Sequence, residues 1–150
     1  MPSSITGLLR ALAWTDFPHR QGHAPGPGQP QTAALTFSSY NATGVSVQPT
    51  AGSRPLQYRV VDNLTVNVTF DRGRSYVMSW LFSQPQQFQT DMLNHEQGHY
   101  NITALVSRDY FVDVMLLKSQ AFASAHAGTT AARHIQQHSL DKLQKIQDLY

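Results

Sequence analysis

Apolar residues occupy every second position along residues 64–70, in the first half of the chain. The apolar positions are Leu64, Val66, Val68 and Phe70. This period of two predicts a β-strand with one buried face. Residues 56–61 are predicted to form a neighbouring strand, joined to it by a turn at residues 62–63. Residues 71–74 predict a further turn, leading into a strand near residues 75–81. Such short connections favour antiparallel pairing.

The pattern changes to a helical period after Pro85. Residues spaced three, four or seven apart share one helix face, and they are Phe88, Met92, His95, His99, Ile102, Val106, Tyr110 and Leu117. Pro85 suits the first turn of this helix, with Ser83 or Gln84 near its N-cap. The sequence therefore predicts a long helix whose largely apolar stripe is interrupted by two imidazoles.

A single helix running as far as Gly128 would be unusually long. We therefore expect a bend or break before His126, followed by a second helix that Thr129 or Thr130 caps and that reaches Tyr150. Strands followed by helices predict an α+β fold. The predicted architecture is an N-terminal antiparallel β-sheet, then a long helix and a C-terminal helix, with the helices packed on one face of the sheet.

Length and composition narrow the class of protein. We expect 150 residues to form one domain, with residues 1–32 as a mostly irregular lead-in because residues 17–32 hold four Pro and three Gly. A net charge of +2 from scattered Lys and Arg argues against nucleic-acid binding. The absence of cysteine excludes disulfides and thiolate metal ligands. No run has the apolar length of a transmembrane segment, and the N-terminus lacks the basic region of a signal peptide.

The only glutamate of the chain lies between two histidines, in His95-Glu96-Gln97-Gly98-His99. This is the HExxH pattern of zinc hydrolases. On a helix, His95 and His99 lie one turn apart on the same face, so both imidazoles can bind one Zn²⁺. Glu96 lies about 100° round the helix, beside the metal. There it can act as the general base that takes a proton from a water.

The alternative is a pair of core histidines that are bonded to neighbouring carbonyls or carboxylates. Chance gives roughly 0.002 such motifs in a chain with seven His and one Glu. Two unpaired buried rings would also be costly to desolvate. Both arguments favour a metal site, and the motif predicts a zinc-dependent hydrolase, most simply a metallopeptidase.

Three segments of the chain carry a wider pattern. They are residues 12–17 (LAWTDF), residues 70–77 (FD followed by SYV), and residues 93–102 (LNHEQGHYNI) with Arg108 beyond. In these segments the chain resembles a family of bacterial domains of unknown function, described as predicted secreted zinc-dependent proteases, whose helix reads like L-x-H-E-Q-x-H-F-D-I. The resemblance implies a zincin-like domain in which His95 and His99 bind zinc and Glu96 is the general base. It also implies a peptide or protein substrate and a secreted or periplasmic location.

The chain departs from that family at two positions of the helix and at its end. Asn101 stands where the family has Asp, and Ala104 stands where it has Glu. The family continues after a helix with a segment like Y-D-x-x-T-x-H-G, of which Tyr150 matches only the first residue. The resemblance therefore leads us to expect a chain truncated at its C-terminus, in which a missing His or Asp is a candidate ligand.

The third protein ligand of a catalytic zinc is left open by the sequence. A second glutamate does not exist in this chain, and the position six residues after His99 is Leu105 rather than histidine. The remaining candidates are His126, His134, His138 or a residue beyond Tyr150.

Further parts of a peptidase mechanism can be assigned only as candidates. Tyr76, Tyr100 and Tyr110 are of the residue type that donates to an oxyanion. The strand at residues 64–70 is expected to align an extended peptide at the sheet edge. Two alternatives belong to other classes: a non-catalytic domain in which zinc staples the helix to the sheet, and a metal-free interaction domain derived from a peptidase. Retention of Glu96 favours the enzyme, because a structural site does not need it.

Overall fold

A computed structural model describes residues 2–28 and 32–150 of the chain, and this part holds six strands and two helices. The strands are β1 (Ser4–Thr6), β2 (His19–Arg20), β3 (Ala34–Leu35), β4 (Ser38–Pro49), β5 (Tyr58–Phe70) and β6 (Tyr76–Met78). The helices are α1 (Gln86–Leu117) and α2 (Ala125–Leu149), and short 3₁₀ segments occur at Trp14–Asp16 and Ser79–Ser83. The predicted α+β class, with strands before helices, is confirmed.

The strands form two three-stranded sheets, in the orders β1-β5-β4 and β2-β6-β3. The pairs β4–β5 and β3–β6 are antiparallel, whereas the short strands β1 and β2 add in parallel to β5 and β6. The central position of β5 overturns one expectation. Residues 64–70 cannot offer a free edge to a peptide, because β4 pairs along one side and β1 pairs with residues 65–67 on the other.

The predicted turn at residues 62–63 is wrong, since β5 runs straight through it. The register of β4 against β5 shifts between Thr43 and Val45, so two residues of β5 face Gly44 alone. Gly44 has φ +94°, and a Cβ there would lie 2.4 Å from the carbonyl oxygen of Asn63. Asn63 and Leu64 therefore form a β-bulge, which bends the strand without ending it. The strand expected at residues 75–81 is also shorter, because 3₁₀ helix replaces it after Met78.

The alternation along β5 is confirmed. Leu64, Val66 and Val68 are buried on the side that faces the helices. Leu64 and Val66 pack with Tyr110 and Val114 of α1, and Val68 belongs to a second cluster around Tyr100. Residues 2–28 contribute Leu12 and Phe17 to this second cluster. Burying this stripe is what holds α1 against the sheet.

The predicted break before His126 is confirmed, but its cap is elsewhere. Helix α1 ends at Leu117, and the connection to α2 is tied to the start of β5 by two backbone hydrogen bonds of 2.8 Å between Tyr58 and Phe122. The N-cap of α2 is Ser124, whose hydroxyl accepts from the Ala127 N–H at 3.1 Å. The expected caps Thr129 and Thr130 lie inside α2.

The helix ends predicted from Pro85 and Gly128 are wrong in detail. Gly128 lies within α2, where a Cβ would be 2.9 Å from Val47 Cγ1 of β4. This glycine permits close packing of the helix on the strand and does not end the helix. At the start of α1, Pro85 is itself the N-cap, so Ser83 and Gln84 do not cap the helix.

The two helices run antiparallel and pack against each other and against β4 and β5. Lys142 of α2 donates to Asp109 of α1 at 2.9 Å, and nearer the other end Gln147 reaches His99 and Thr103. The C-terminal end of α2 therefore lies beside the N-terminal half of α1. In residues 2–28 and 32–150, no helix combines the length and apolarity that a bilayer crossing requires.

Three tyrosines, two of them buried and one half-buried, predict a loss of stability in alkaline solution. Burial raises the pKa of Tyr40, Tyr100 and Tyr110 above the ordinary value of 10.0, partly offset for Tyr40 by its hydrogen bond to Ser139. Because the folded protein holds these protons more tightly than the unfolded chain, their contribution is complete below about pH 10 and is lost as the pH rises through the folded-state pKa values. We expect the free energy of unfolding, measured with urea, to fall as the pH is raised above about pH 10, the ordinary tyrosine value. An equally steep fall in a Tyr40→Phe, Tyr110→Phe double variant would contradict this assignment.

Candidate metal centre

The side chains of His95, Glu96 and His99 lie together on α1. One ligand atom from each can be chosen so that all three lie within 4.8 Å of one another. Among residues 2–28 and 32–150, this is the one group of three or more His, Cys, Asp or Glu residues so arranged. The ring atoms His95 Nε2 and His99 Nε2 are 3.2 Å apart. The three residues that the motif predicted are therefore brought together, and their arrangement could hold a metal ion.

The buried face of α1 is rotated by about one residue from the predicted stripe. Its centre is formed by Glu96, Tyr100, Thr103, Ser107, Tyr110 and Val114, all of which are buried. Phe88, from the predicted stripe, is 41% exposed. The prediction is confirmed for Val106, Tyr110 and Leu117, which are buried. It is wrong elsewhere, because polar side chains occupy much of the inner face, where hydrogen bonds satisfy them. For example, Thr103 Oγ1 and Ser38 Oγ of β4 are 2.7 Å apart.

This rotation determines where each functional side chain points. Glu96 is turned toward the sheet and is only 2% exposed. Thr36, in the connection between β3 and β4, donates its hydroxyl to Glu96 Oε2 at 2.5 Å. His95 and His99 lie at the edge of the buried face, half-buried beside α2. A metal held there would thus lie where α1 meets α2, with the carboxylate of Glu96 on the sheet side.

The C-terminal end of α2 covers the two histidines. The ring of Tyr150 stacks on His95 at a centroid distance of 4.7 Å and an angle of 10°. It meets His99 edge-on at 4.8 Å and 85°. Close approach is possible because the residue beneath the phenol is Gly98, where a Cβ would lie 1.9 Å from the Tyr150 oxygen. The glycine inside the motif therefore makes room for an aromatic cover.

The other histidine candidates lie apart from this group. His126, His134 and His138 are exposed on α2 and join no cluster of metal-ligating residues within the described part of the chain. His138 is nine residues before Gln147, which is about 14 Å along a helix at 1.5 Å per residue. His126 is about 30 Å away by the same measure. In this conformation, the three histidines cannot serve as the third ligand.

The tyrosines considered as oxyanion donors are engaged elsewhere. The hydroxyl of Tyr100 donates to the carbonyl oxygen of Gly7 at 2.6 Å, and its ring is fully buried. Tyr110 packs against Tyr40 at 5.5 Å between ring centroids, about 16 Å along α1 from His99. Tyr76 lies under the guanidinium of Arg20. None of the three hydroxyls is therefore assigned to the site.

Comparison with protein-family models, with curated proteins and with solved structures finds no match. The resemblance to the family of predicted secreted proteases therefore rests on the three sequence segments alone. The case for a functional site rests on the geometry of His95, Glu96 and His99.

Sequence reasoning missed two residues whose side chains hydrogen-bond to the candidate site residues Glu96 and His99. Thr36 is 60 residues from Glu96 in sequence, and Gln147 is 48 residues from His99. Helical spacing does put Gln147 one turn after Leu143, on the inner side of α2. A polar residue at that position gives no hydrophobic signal, so the contact emerges only when the two helices pack.

Proposed function

We propose that the protein is a zinc-dependent hydrolase, most simply a metallopeptidase, with His95 and His99 as zinc ligands and Glu96 as the general base. The observation that carries this proposal is the pair of Nε2 atoms 3.2 Å apart with the chain's only glutamate beside them. A structural zinc site needs ligands alone, whereas hydrolysis needs a base next to the metal.

The spacing of the two imidazoles suits zinc. Zn–N bonds are about 2.0–2.1 Å long, so two nitrogens of a tetrahedral site lie about 3.3 Å apart. The observed separation between His95 Nε2 and His99 Nε2 is 3.2 Å. Neutral imidazole nitrogens are also among the ligands that zinc prefers, and the chain has no cysteine that would favour a thiolate site. The donor set therefore fits a site that keeps coordination positions open for a third ligand and water.

The chemistry divides between the bound ion and the chain. Zinc, when bound, supplies Lewis acidity that lowers the pKa of water toward neutrality and polarises a substrate carbonyl. Glu96 accepts the proton of the attacking water and returns it to the leaving nitrogen. Thr36 donates to Glu96 Oε2, which holds one oxygen in place and leaves the other to accept the proton. The low exposure of Glu96, 2%, keeps competing water away from the carboxylate.

An extended peptide is a substrate that the surroundings of Glu96 suit. Thr36 directly follows β3, and β3 is an edge strand of the sheet β2-β6-β3. A peptide that adds to such an edge gains backbone hydrogen bonds without needing a particular sequence. Because Thr36 contacts Glu96, a segment bound along β3 would pass beside the general base. The peptide-binding edge is therefore proposed at β3 and not at β5, because β5 is the central strand of its sheet.

Metal content and hydrolysis measured together test the proposal. We expect about one zinc per chain after dialysis, by elemental analysis, and cleavage of some members of a fluorescence-quenched peptide library. A chelator should stop the cleavage, and added zinc should restore it. Absence of zinc even after reconstitution, or cleavage that a chelator does not affect, would overturn the proposal.

A structural zinc site is the second candidate, and the cover of Tyr150 over both imidazoles favours it. In that case the ion is held by side chains of α1 beneath Tyr150, and it stabilises the fold without catalysing hydrolysis. The candidate predicts bound zinc, no hydrolysis of any library member, and a lowered unfolding temperature after chelation. Removal of the cover with Tyr150→Ala separates the two functions, because hydrolysis should rise or persist only in an enzyme.

A further inference from the structure

Gln147 of α2 makes three polar contacts with α1 at the edge of the metal centre. Its side-chain nitrogen Nε2 lies 2.8 Å from the carbonyl oxygen of His99 and 3.1 Å from Thr103 Oγ1. Its side-chain oxygen Oε1 lies 2.6 Å from His99 Nδ1. One amide therefore contacts both the backbone and the ring of the same histidine.

The backbone contact determines which way the amide faces. A carbonyl oxygen can only accept a hydrogen bond, so the group beside His99 O must be the NH₂ of Gln147. The amide oxygen then faces the imidazole, and it too can only accept. The hydrogen of the 2.6 Å contact must therefore be carried by His99 Nδ1.

A neutral imidazole carries one N–H, so protonation at Nδ1 leaves Nε2 with a free lone pair. That nitrogen is the atom that lies 3.2 Å from His95 Nε2, where a metal would bind. We infer that Gln147 is a positioning residue, which holds His99 in the one tautomer that can bind metal through Nε2. The inference rests on the proposed function only in taking the bound ion to be zinc.

The amide of Gln147 is itself held in place. Thr103 is fully buried, and its hydroxyl lies 2.7 Å from Ser38 Oγ of β4. The contacts therefore continue from the sheet through Thr103 and Gln147 to the imidazole of His99. Such outer contacts orient a ligating ring and raise its basicity, and their loss commonly lowers metal affinity by about 10–100-fold. Helix α2 thus prepares the site without contributing a ligand.

Two measurements test this role, and the first needs no metal. Long-range ¹H–¹⁵N NMR of the metal-free protein, recorded under conditions where the ring signals are those of neutral imidazole, reports which ring nitrogen carries the proton. We expect His99 to be in the Nδ1–H form. A predominantly Nε2–H form would overturn the inference, whether or not the protein binds zinc. Failure of the wild-type protein to bind zinc, with His99 in the Nδ1–H form, would count against the proposed function alone.

The second measurement compares zinc affinities of variants by competition with a chelator. Gln147→Met keeps the length and helix propensity of the side chain but removes the acceptor. Gln147→Glu keeps an acceptor for the Nδ1–H. Gln144→Met is the matched control. Gln144 is exposed on the same helix, and its side chain donates to Asp148 of that helix.

We expect Gln147→Met to weaken zinc binding by about 10–100-fold and to populate both tautomers of His99. Gln147→Glu should restore the Nδ1–H form and most of the affinity, and Gln144→Met should change neither. A structural role alone would predict equal losses in both Gln147 variants with no change of tautomer. That pattern, or full affinity in a folded Gln147→Met protein, would overturn the inference. If Gln147→Met does not fold, the tautomer of the wild-type protein and the Gln147→Glu variant still decide the question.

Discussion

Replacing Glu96 with Gln is expected to reduce peptide hydrolysis by at least about 10²–10⁴-fold while zinc remains bound. Glutamine has the size of glutamate and can still contact Thr36, but it cannot accept a proton from water at neutral pH. The variant therefore removes the base and keeps the shape of the site. Initial rates on the best library peptide and zinc content per chain are the two quantities to measure.

A matched substitution controls for the change of charge. Asp113 is exposed on the same helix, so Asp113→Asn removes one carboxylate from α1 far from the motif and should leave both quantities unchanged. Undiminished hydrolysis by the Glu96→Gln protein would remove the general-base assignment. Loss of zinc from that protein would instead make Glu96 a ligand, which the clustering of the three side chains within 4.8 Å also permits.

Replacing His99 with Ala is expected to release the metal. The variant loses one of two imidazoles 3.2 Å apart, and it also leaves Gln147 without its ring partner. Loss of a direct ligand should weaken binding by more than the 10–100-fold typical of an outer contact, so we expect a fall beyond about 100-fold. Zinc per chain after dialysis and affinity by chelator competition measure this effect.

The same substitution at other histidines provides controls and tests the third ligand. His126→Ala, His134→Ala and His138→Ala each remove an exposed imidazole from α2, and we expect each variant to keep about one zinc per chain. Release of zinc by one of these variants would mean that α2 rearranges when the metal binds. Retention of zinc by His99→Ala, with circular dichroism unchanged, would remove the predicted site altogether.

Local geometry is the part of this protein that the sequence predicted well. The period of two at residues 64–70 fixed the buried face of β5, because side chains of a strand alternate whatever lies opposite. The spacing of His95 and His99 put both imidazoles on one face of a helix for the same reason. The break between α1 and α2 was also predicted, since the helical pattern was too long for one helix.

Packing is the part that the sequence could not supply. The inner face of α1 carries the polar residues Glu96, Thr103 and Ser107 beside apolar ones, so a search for apolar residues matched that face only in part. In place of the turn predicted at residues 62–63, β5 continues through a bulge at residues 63–64, opposite Gly44 of β4. In each case a polar residue or a glycine has its role set by a partner that is distant in sequence.

The sequence by itself determined the α+β order of elements and the candidate metal ligands with their neighbouring base. Only the tertiary structure decided that Glu96 faces the sheet and bonds to Thr36, that Gln147 contacts His99, and that Tyr150 covers the imidazoles. Helix and strand periods are properties of the local backbone and can be read from neighbouring residues. The surroundings of the candidate metal centre join residues 48 and 60 positions apart, and these meet only because burying the stripe of β5 brings α1, α2 and the sheet together.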